Sequence, residues 1–188
     1  MPRLMATPRR IFRIYESLCT DAELVRDFQQ AMGEKVSSTV TALITKDRAK
    51  LLAKWGDEMG ELCGVLDGTH DDPYLMESTQ TWYWACLYAV TGAATWDSLN
   101  WSEAPRLAAT SGIDSVEELK AAVERLIGLG PEGAKPEKLF LLWLVADRIY
   151  RRITPLDKQW SIDQLMEADL QDMKKRAYLH PVLAAIKD

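Results

Sequence analysis

The chain has 188 residues, a length that suits one domain with a hydrophobic core, and a formal net charge of −5 at pH 7. This acidic balance argues against a protein that binds polymeric nucleic acid, because such proteins need a clustered basic surface. The cysteines are odd in number and lack CxxC spacing, which predicts reduced thiols in a cytoplasmic protein. They are Cys19, Cys63 and Cys86.

Helix-start signals recur along the chain, and no long alternating run of β-branched residues indicates a strand. We therefore predict an all-α protein, an antiparallel helical bundle with a central pair of carboxylate-bearing helices. The predicted helices span residues 22–32, 47–66, 73–90, 116–127, 137–153 and 162–178. We expect one domain over residues 1–188, with a core at 20–96 and additional C-terminal helices at 97–188.

In the first predicted helix, Leu24, Val25 and Phe28 should face inward, and Gly33 should end the helix. A short Ser- and Thr-rich segment follows at 37–45. Capping boxes, in which side chains satisfy the free amides of a first helical turn, are predicted where Ser or Thr precedes Glu or Gln by three residues. These pairs are Thr20 with Glu23, Ser115 with Glu118 and Ser161 with Gln164.

The uncharged run from Ser78 to Trp96 has 19 residues, a length at which a membrane span must be considered. It contains several polar residues, and acidic rather than basic residues flank it, so we predict a buried central helix and no membrane contact. Asp72 is the expected cap of this helix, with Pro73 as its first residue. The apolar helix at 137–153 should pack on the same core or on a second subunit.

Three carboxylates lie within five positions of the helix predicted at 47–66, at Asp57, Glu58 and Glu61. Glu58 and Glu61 share a helix face, where their like charges repel unless a cation lies between them. A divalent hard metal held by carboxylate oxygens would supply that cation.

A short turn at 69–73 joins this helix to the next one, so the two should pack antiparallel. This packing brings Glu58 and Glu61 beside Glu77 and Gln80. Four oxygen-bearing side chains then converge on one place, which predicts a metal site.

These segments resemble the phosphoribosyl-ATP pyrophosphohydrolase and MazG-like group of all-α nucleoside triphosphate pyrophosphohydrolases. The family signature is a Glu-Glu-x-x-Glu helix, a spacer, and a second helix that carries Glu-x-x-Asp before aromatic and apolar residues. Here the first half reads Asp57-Glu58-Met59-Gly60-Glu61, and the second reads Glu77-Ser78-Thr79-Gln80 before Trp82, Tyr83 and Trp84. The resemblance covers residues 36–90 and leaves the C-terminal half of the chain uncovered.

The resemblance implies hydrolysis between the α- and β-phosphates of a small nucleotide, with Mg²⁺ or Mn²⁺ as cofactor and a homodimer as the assembly. It implies that Glu58, Glu61 and Glu77 are metal ligands, the first two also being the catalytic carboxylates. Gln80 stands where the family has its Asp, and an amide in this place keeps one neutral oxygen donor but removes a charge from the site. The candidate substrate contacts are Lys54, Asp57 and Trp84.

Plainer interpretations of these residues stay open. Glu58 and Glu61 could form a solvated helix face supported by Lys54. Glu77 could complement the helix dipole without any ligand, and Gln80 could be a satisfied polar residue in the core.

The aromatic residues from Trp82 to Tyr88 could pack in the core or at a dimer interface rather than stack on a nucleobase. His70 and His180 are each isolated in the sequence, which is typical of surface histidines. At the level of function, the alternatives to an enzyme are a catalytically degenerate helical module that binds nucleotide, metal or protein, and a purely structural helical module.

Overall fold

A computed structural model describes residues 6–187, and every regular element within this range is helical. The prediction of an all-α protein is confirmed. The α-helices, numbered α1 to α11 in chain order, are Pro8–Thr20, Ala22–Ala31, Ser38–Thr45, Arg48–Asp67, Tyr74–Thr91, Ala104–Ala109, Val116–Gly128, Gly130–Gly133, Pro136–Ile153, Ile162–Lys174 and His180–Ala185. Short 3₁₀ helices lie at Asp97–Leu99, Leu156–Lys158 and Ala177–Leu179.

Helices α4 and α5 form the centre of the fold, and local chemistry sets their ends. α4 begins where the Asp47 side chain accepts a hydrogen bond from the Lys50 amide at 3.0 Å. It ends at Gly68, whose φ of 78° lies in the left-handed region that glycine adopts without strain. Only the connection 68–73 separates it from α5, so the second helix must turn back along the first.

Hydrogen bonds between the two helices confirm that they are antiparallel. Arg48, the first residue of α4, donates to the carbonyl of Tyr88 near the end of α5 at 2.8 Å. Trp84, one turn earlier on α5, donates to Glu58 in the middle of α4 at 3.1 Å. Later residues of α4 therefore pack beside earlier residues of α5.

The core beside α5 is built from aromatic rings. The Trp82 ring centroid lies 5.0 Å from those of Phe140 and Trp143, and 5.5 Å from that of Trp101. Trp143 Nε1 donates to both the carbonyl and the hydroxyl of Ser78 at 3.0 Å, which satisfies the buried indole. Phe140 and Trp143 belong to α9, so the second apolar helix packs on the same core.

The uncharged run is a buried helix, as predicted. Trp82 and the residues 85–89 of α5 are 0% exposed. Within residues 6–187, no helix is both long enough and apolar enough to cross a membrane. The predicted cap is wrong, because Pro73 rather than Asp72 precedes the helix and makes no side-chain cap. The Asp72 carboxylate lies 3.0 Å from His70 Nε2 instead.

Helix α1 is absent from the sequence-based predictions, although its start carries ordinary signals. The Thr7 side chain accepts a hydrogen bond from the Arg10 amide at 3.1 Å, and Pro8 occupies the first helical position. The helix packs against α5 and α10 and buries one apolar face. The apolar residues of this face are Ile11, Phe12, Ile14, Tyr15 and Leu18.

Because α1 fills this place in the core, α2 lies outside it, and two predicted inward residues are wrong. Leu24 is 69% exposed and Phe28 is 47% exposed, whereas Val25 is buried. Gly33 follows the end of α2 with a φ of 72°, as its predicted role requires. The Ser- and Thr-rich segment is the helix α3, capped by the Ser37 side chain.

Two of the three predicted capping boxes are present. Ser115 accepts from the Glu118 amide at 3.1 Å and donates its own amide to the Glu118 carboxylate at 3.0 Å. Ser161 and Gln164 make the same pair of bonds. The box predicted at Thr20 is wrong, because this residue ends α1 and its hydroxyl donates to the carbonyl of Glu16.

Replacing Ser115 by Ala should lower the free energy of unfolding by about 1 kcal/mol, because the first turn of α7 loses its side-chain acceptor. Thr20→Ala is the matched control and should change the free energy of unfolding by less than about 0.5 kcal/mol. Denaturant unfolding of both variants measures the difference. Equal losses in the two variants would contradict this assignment of caps.

Candidate functional site

Two acidic residues and a histidine meet at the loop end of the α4–α5 pair. Glu61 lies on α4, Glu77 lies in the first turn of α5, and His70 lies in the connection between them. Each offers one ligand atom, and the three atoms lie within 4.8 Å of one another. Ligand atoms bound to one divalent ion are separated by about 3 to 5 Å, so this group is able to hold such an ion.

Glu77 is the buried member of this group. Its side chain is 0% exposed, and neither carboxylate oxygen has a hydrogen-bond partner among residues 6–187. Burial raises the pKa of Glu77 above its ordinary value, and the negative charges of Glu61 and Glu58 raise this pKa further, while His70 opposes them. An ionised carboxylate in this position is costly without a cation beside it.

A glycine allows His70 to lie against α4. The amides of Thr69 and His70 both donate to the Gly64 carbonyl, at 2.8 and 3.1 Å. A β-carbon on Gly64 would lie 2.8 Å from His70 Cβ, so a larger residue would push the turn away. His70 Nε2 then lies 3.0 Å from Asp72 Oδ2 and 3.6 Å from Glu77 Oε1.

Glu58 lies on α4 one turn before Glu61 and is half-buried. Trp84 Nε1 donates to its Oε1 at 3.1 Å, and the buried Oε2 accepts no hydrogen bond from the part of the chain that the structure describes. Burial raises the pKa of Glu58, followed by the charge of Glu61, and the bond from Trp84 opposes both. One oxygen is thus fixed in place while the other is free to take a proton or a cation.

A cavity of about 730 Å³ adjoins this carboxylate. Its walls come from α5, α10 and residues 177–179, with smaller parts from α1 and α3. Glu58, Gln80 and Trp84 line it. The volume falls in the range of small-molecule binding sites, about 300–1,000 Å³.

A half-buried carboxyl group lines the wall of the cavity that α10 supplies. Asp169 accepts a hydrogen bond from the Tyr15 hydroxyl, at 3.3 Å to Oδ2. Burial raises the pKa of Asp169 to about 7, although the bond from Tyr15 acts in the opposite direction. The charge on this wall therefore changes near neutral pH.

Cationic residues also reach the cavity from the end of α10. Arg176 donates to Asp172 at 2.8 Å, and Lys175 Nζ lies 3.4 Å from the same carboxylate. All three residues line the cavity. An anionic ligand can bind on this side of the cavity by replacing Asp172 as the partner of Arg176 and Lys175.

Five of the predicted site residues lie close together, two of them in the ligand group and three in the wall of the cavity. Glu61 and Glu77 belong to the ligand group with His70. Glu58, Gln80 and Trp84 line the neighbouring cavity, and Glu58 interacts electrostatically with both Glu61 and Glu77.

Two predicted substrate contacts lie elsewhere. Lys54 and Asp57 are exposed and pair with each other, with Nζ 3.5 Å from Oδ2, and neither lines the cavity. Conversely, the interpretation of His70 as an isolated surface residue is wrong, since its ring is within ion-pair distance of Glu77. The length of the turn was the signal, because six residues between two antiparallel helices cannot carry His70 far from α4. For Asp169 the sequence holds no comparable signal.

The donor chemistry of the group fits a divalent cation. Carboxylate oxygens are the ligands that Mg²⁺ and Mn²⁺ prefer, and imidazole is a common ligand of transition metals. Neither carboxylate oxygen of Glu77 has a hydrogen-bond partner among the described residues, and His70 Nε2 lies 3.6 Å from Oε1.

Comparison with protein-family models, with curated proteins and with solved structures finds no match to this chain.

Asp169→Asn should change how stability depends on pH. Because the pKa is raised in the folded protein, the stabilising contribution of the protonated carboxyl is complete below about pH 4 and is lost as pH rises through about 7. The variant keeps an oxygen acceptor for Tyr15 but cannot ionise. Its free energy of unfolding should therefore gain about 2 to 4 kcal/mol relative to wild type between pH 4 and pH 8.

Urea unfolding at a series of pH values measures this gain. Asp163→Asn, at an exposed position in the first turn of the same helix, is the control and should follow the wild-type profile. A profile of Asp169→Asn that runs parallel to wild type would show that this carboxyl is ionised throughout the range.

Proposed function

We propose that this protein is a cytoplasmic, Mg²⁺-dependent nucleotide pyrophosphohydrolase that converts a nucleoside triphosphate or phosphoribosyl-ATP to a monophosphate and pyrophosphate. The observation that carries the proposal is the carboxylate of Glu77, which is fully buried and close to Glu61 and His70 yet accepts no hydrogen bond within residues 6–187. The resemblance of residues 36–90 to MazG-like enzymes supplies the reaction class.

The carboxylates that would hold the metal are Glu61 and Glu77, with Glu58 beside them. When bound, Mg²⁺ neutralises phosphate oxygens and lowers the pKa of a bound water. The protein itself needs to position the substrate phosphates, hold the attacking water and take its proton.

Glu58 is suited to take that proton. Trp84 fixes Oε1, so Oε2 is left as the free acceptor, and it lies beside the cavity. A raised pKa makes this carboxylate a stronger base than an ordinary one. Glu61 lies one helical turn away on the same face, where it contributes charge to the metal rather than to the water.

The cavity is the proposed binding place of the nucleotide. Trp84 and Tyr83 offer aromatic rings on the α5 wall, which can stack on a base. Arg176 and Lys175 on the opposite wall can approach anionic groups. Glu58 then lies between the bound molecule and the proposed metal ligands.

A second candidate function is a degenerate module that binds nucleotide or metal without turnover, and Gln80 favours it. This residue lines the cavity, where MazG-like enzymes place a carboxylate. An amide in that position lowers the negative charge available to a cation. Gln80→Asp therefore distinguishes an active enzyme from one that has lost its activity.

The decisive experiment is pyrophosphate release from a panel of nucleotides, including phosphoribosyl-ATP, in the presence of Mg²⁺. Glu77→Gln should lower the rate by about 100-fold or more, because a ligand carboxylate becomes a neutral amide. Glu117→Gln is the matched control, since Glu117 lies in the first turn of α7 but is exposed. It should leave the rate unchanged.

Absence of release from every nucleotide, together with no rise in melting temperature on addition of Mg²⁺, would refute the enzyme. Release that appears only in Gln80→Asp would identify the degenerate module. Equal rates in wild type and Glu77→Gln would place the activity at another site.

We also propose that the protein is a homodimer, with α2 at the interface. Leu24, Phe28 and Met32 are 69%, 47% and 62% exposed and are spaced four residues apart, so they form one apolar stripe. Such a stripe on a surface helix is more often covered than solvated.

Phe28→Glu should convert the dimer to a monomer, because a charge in the centre of the stripe would be buried without a partner. Sedimentation equilibrium measures the change in mass. Leu156→Glu is the control, since Leu156 is 85% exposed but lies outside the stripe, and it should stay dimeric. A wild-type protein that is monomeric at high concentration would refute the dimer.

A further inference from the structure

We propose that His70 is a direct metal ligand, completing a site with Glu61 and Glu77, and that it shifts the preference of this site from Mg²⁺ towards Mn²⁺. Because His70 belongs to the metal site proposed above, its role rests on that proposal, but it does not require hydrolysis. The ligand positions of the family signature are all acidic, and none of them corresponds to His70.

The position of the imidazole carries the first step. His70 Nε2 is buried and lies 3.6 Å from Glu77 Oε1, and the ligand atoms of His70, Glu61 and Glu77 are mutually within 4.8 Å. Asp72 Oδ2 lies 3.0 Å from the same nitrogen, within ion-pair distance. The nitrogen is therefore directed at carboxylate oxygens of the turn and of α5.

Charge carries the second step. A protonated His70 would add one positive charge to a group that holds Glu61 and Glu77, with Glu58 and Asp72 close by. A divalent ion among the three side chains satisfies the nitrogen and the carboxylates together.

The rigidity of the turn carries the third step. Two amides of the turn are bound to the Gly64 carbonyl. The Asp67 carboxylate accepts from the Thr69 hydroxyl at 2.6 Å and from Lys120 at 2.5 Å, which ties the start of the turn to α7. His70 is thus held in place before any ligand binds, and preorganised ligands lose little entropy on binding.

Ligand chemistry then sets the preference among metals. Mg²⁺ takes oxygen ligands almost exclusively and gives up its water reluctantly, whereas Mn²⁺ accepts both carboxylate and imidazole and stands in the series of transition metals. Two carboxylates with one imidazole therefore favour Mn²⁺ over Mg²⁺. Without His70 the donors are all oxygens, which suit Mg²⁺ and Mn²⁺ alike.

Pulsed electron paramagnetic resonance of bound Mn²⁺ tests the assignment, because a coordinated imidazole gives a ¹⁴N modulation that carboxylates cannot give. The chain has two histidines, His70 and His180, and His180 is exposed. The modulation should appear in wild type, persist in His180→Asn and vanish in His70→Asn. Labelling of histidine alone with ¹⁵N should replace the ¹⁴N signal in the wild-type protein.

Calorimetric titration supplies the affinities. His70→Asn should weaken Mn²⁺ binding by at least about 10-fold and Mg²⁺ binding by less than about threefold. His180→Asn should leave both unchanged. Bound Mn²⁺ without ¹⁴N modulation in wild type would overturn the inference, even if His70→Asn failed to fold, and so would modulation that is lost in His180→Asn.

The two proposals fail in different ways. Histidine coordination without pyrophosphate release would uphold the metal ligand and refute the enzyme. Pyrophosphate release that depends on Glu77, with Mn²⁺ bound by oxygen ligands alone, would uphold the enzyme and refute His70 as a metal ligand.

Discussion

The short connection between α4 and α5 is the constraint on which the site depends. Six residues, 68–73, return the chain along the helix it has just left, and Gly64 lets the turn lie directly on α4. Glu61 and Glu77 are consequently forced together despite their like charges. The backbone bonds that hold the turn act whether or not these charges are neutralised, so the fold brings the carboxylates together at an electrostatic cost.

The aromatic core offsets that cost. Trp82 and Trp143 are fully buried and make close ring contacts with each other, Trp82 on the helix that carries Glu77 and Trp143 on α9 beside it. Burial of two such side chains contributes several kcal/mol. A destabilised group at the end of a strongly packed helix is typical of functional sites, where binding of a ligand recovers the lost stability.

Much of the central architecture could be predicted because its signals are local. Gly68 ends α4, the uncharged run indicates the buried α5, and the spacing of Ser115 and Glu118 marks the start of α7. The proximity of Glu61 to Glu77 followed from the length of the turn alone. Where chain geometry leaves only one arrangement, sequence patterns are sufficient.

The remaining features depend on which helix reaches the core, and no local pattern settles that. α1 and α2 are both amphipathic, and α1 takes the inner position, which leaves Leu24 and Phe28 on the surface. The bond between Tyr15 and Asp169 joins helices from opposite ends of the chain, so neither residue predicts the other. His70 was missed for a different reason. Its role depends on Glu61 and Glu77, which are near it in space but not in sequence, although the short turn limits where it can lie.

The distribution of the site along the chain has a consequence for folding. Residues 61–77 contain the whole proposed ligand group, whereas the walls of the cavity include α1 and α10 as well as α5, and the bonded residues Tyr15 and Asp169 are 154 positions apart. Closing a short loop loses less chain entropy than joining distant segments, so we expect the α4–α5 hairpin to form before the cavity. We expect local unfolding in the native protein to follow the same division, with the terminal helices separating from α5 while the ligand group stays assembled.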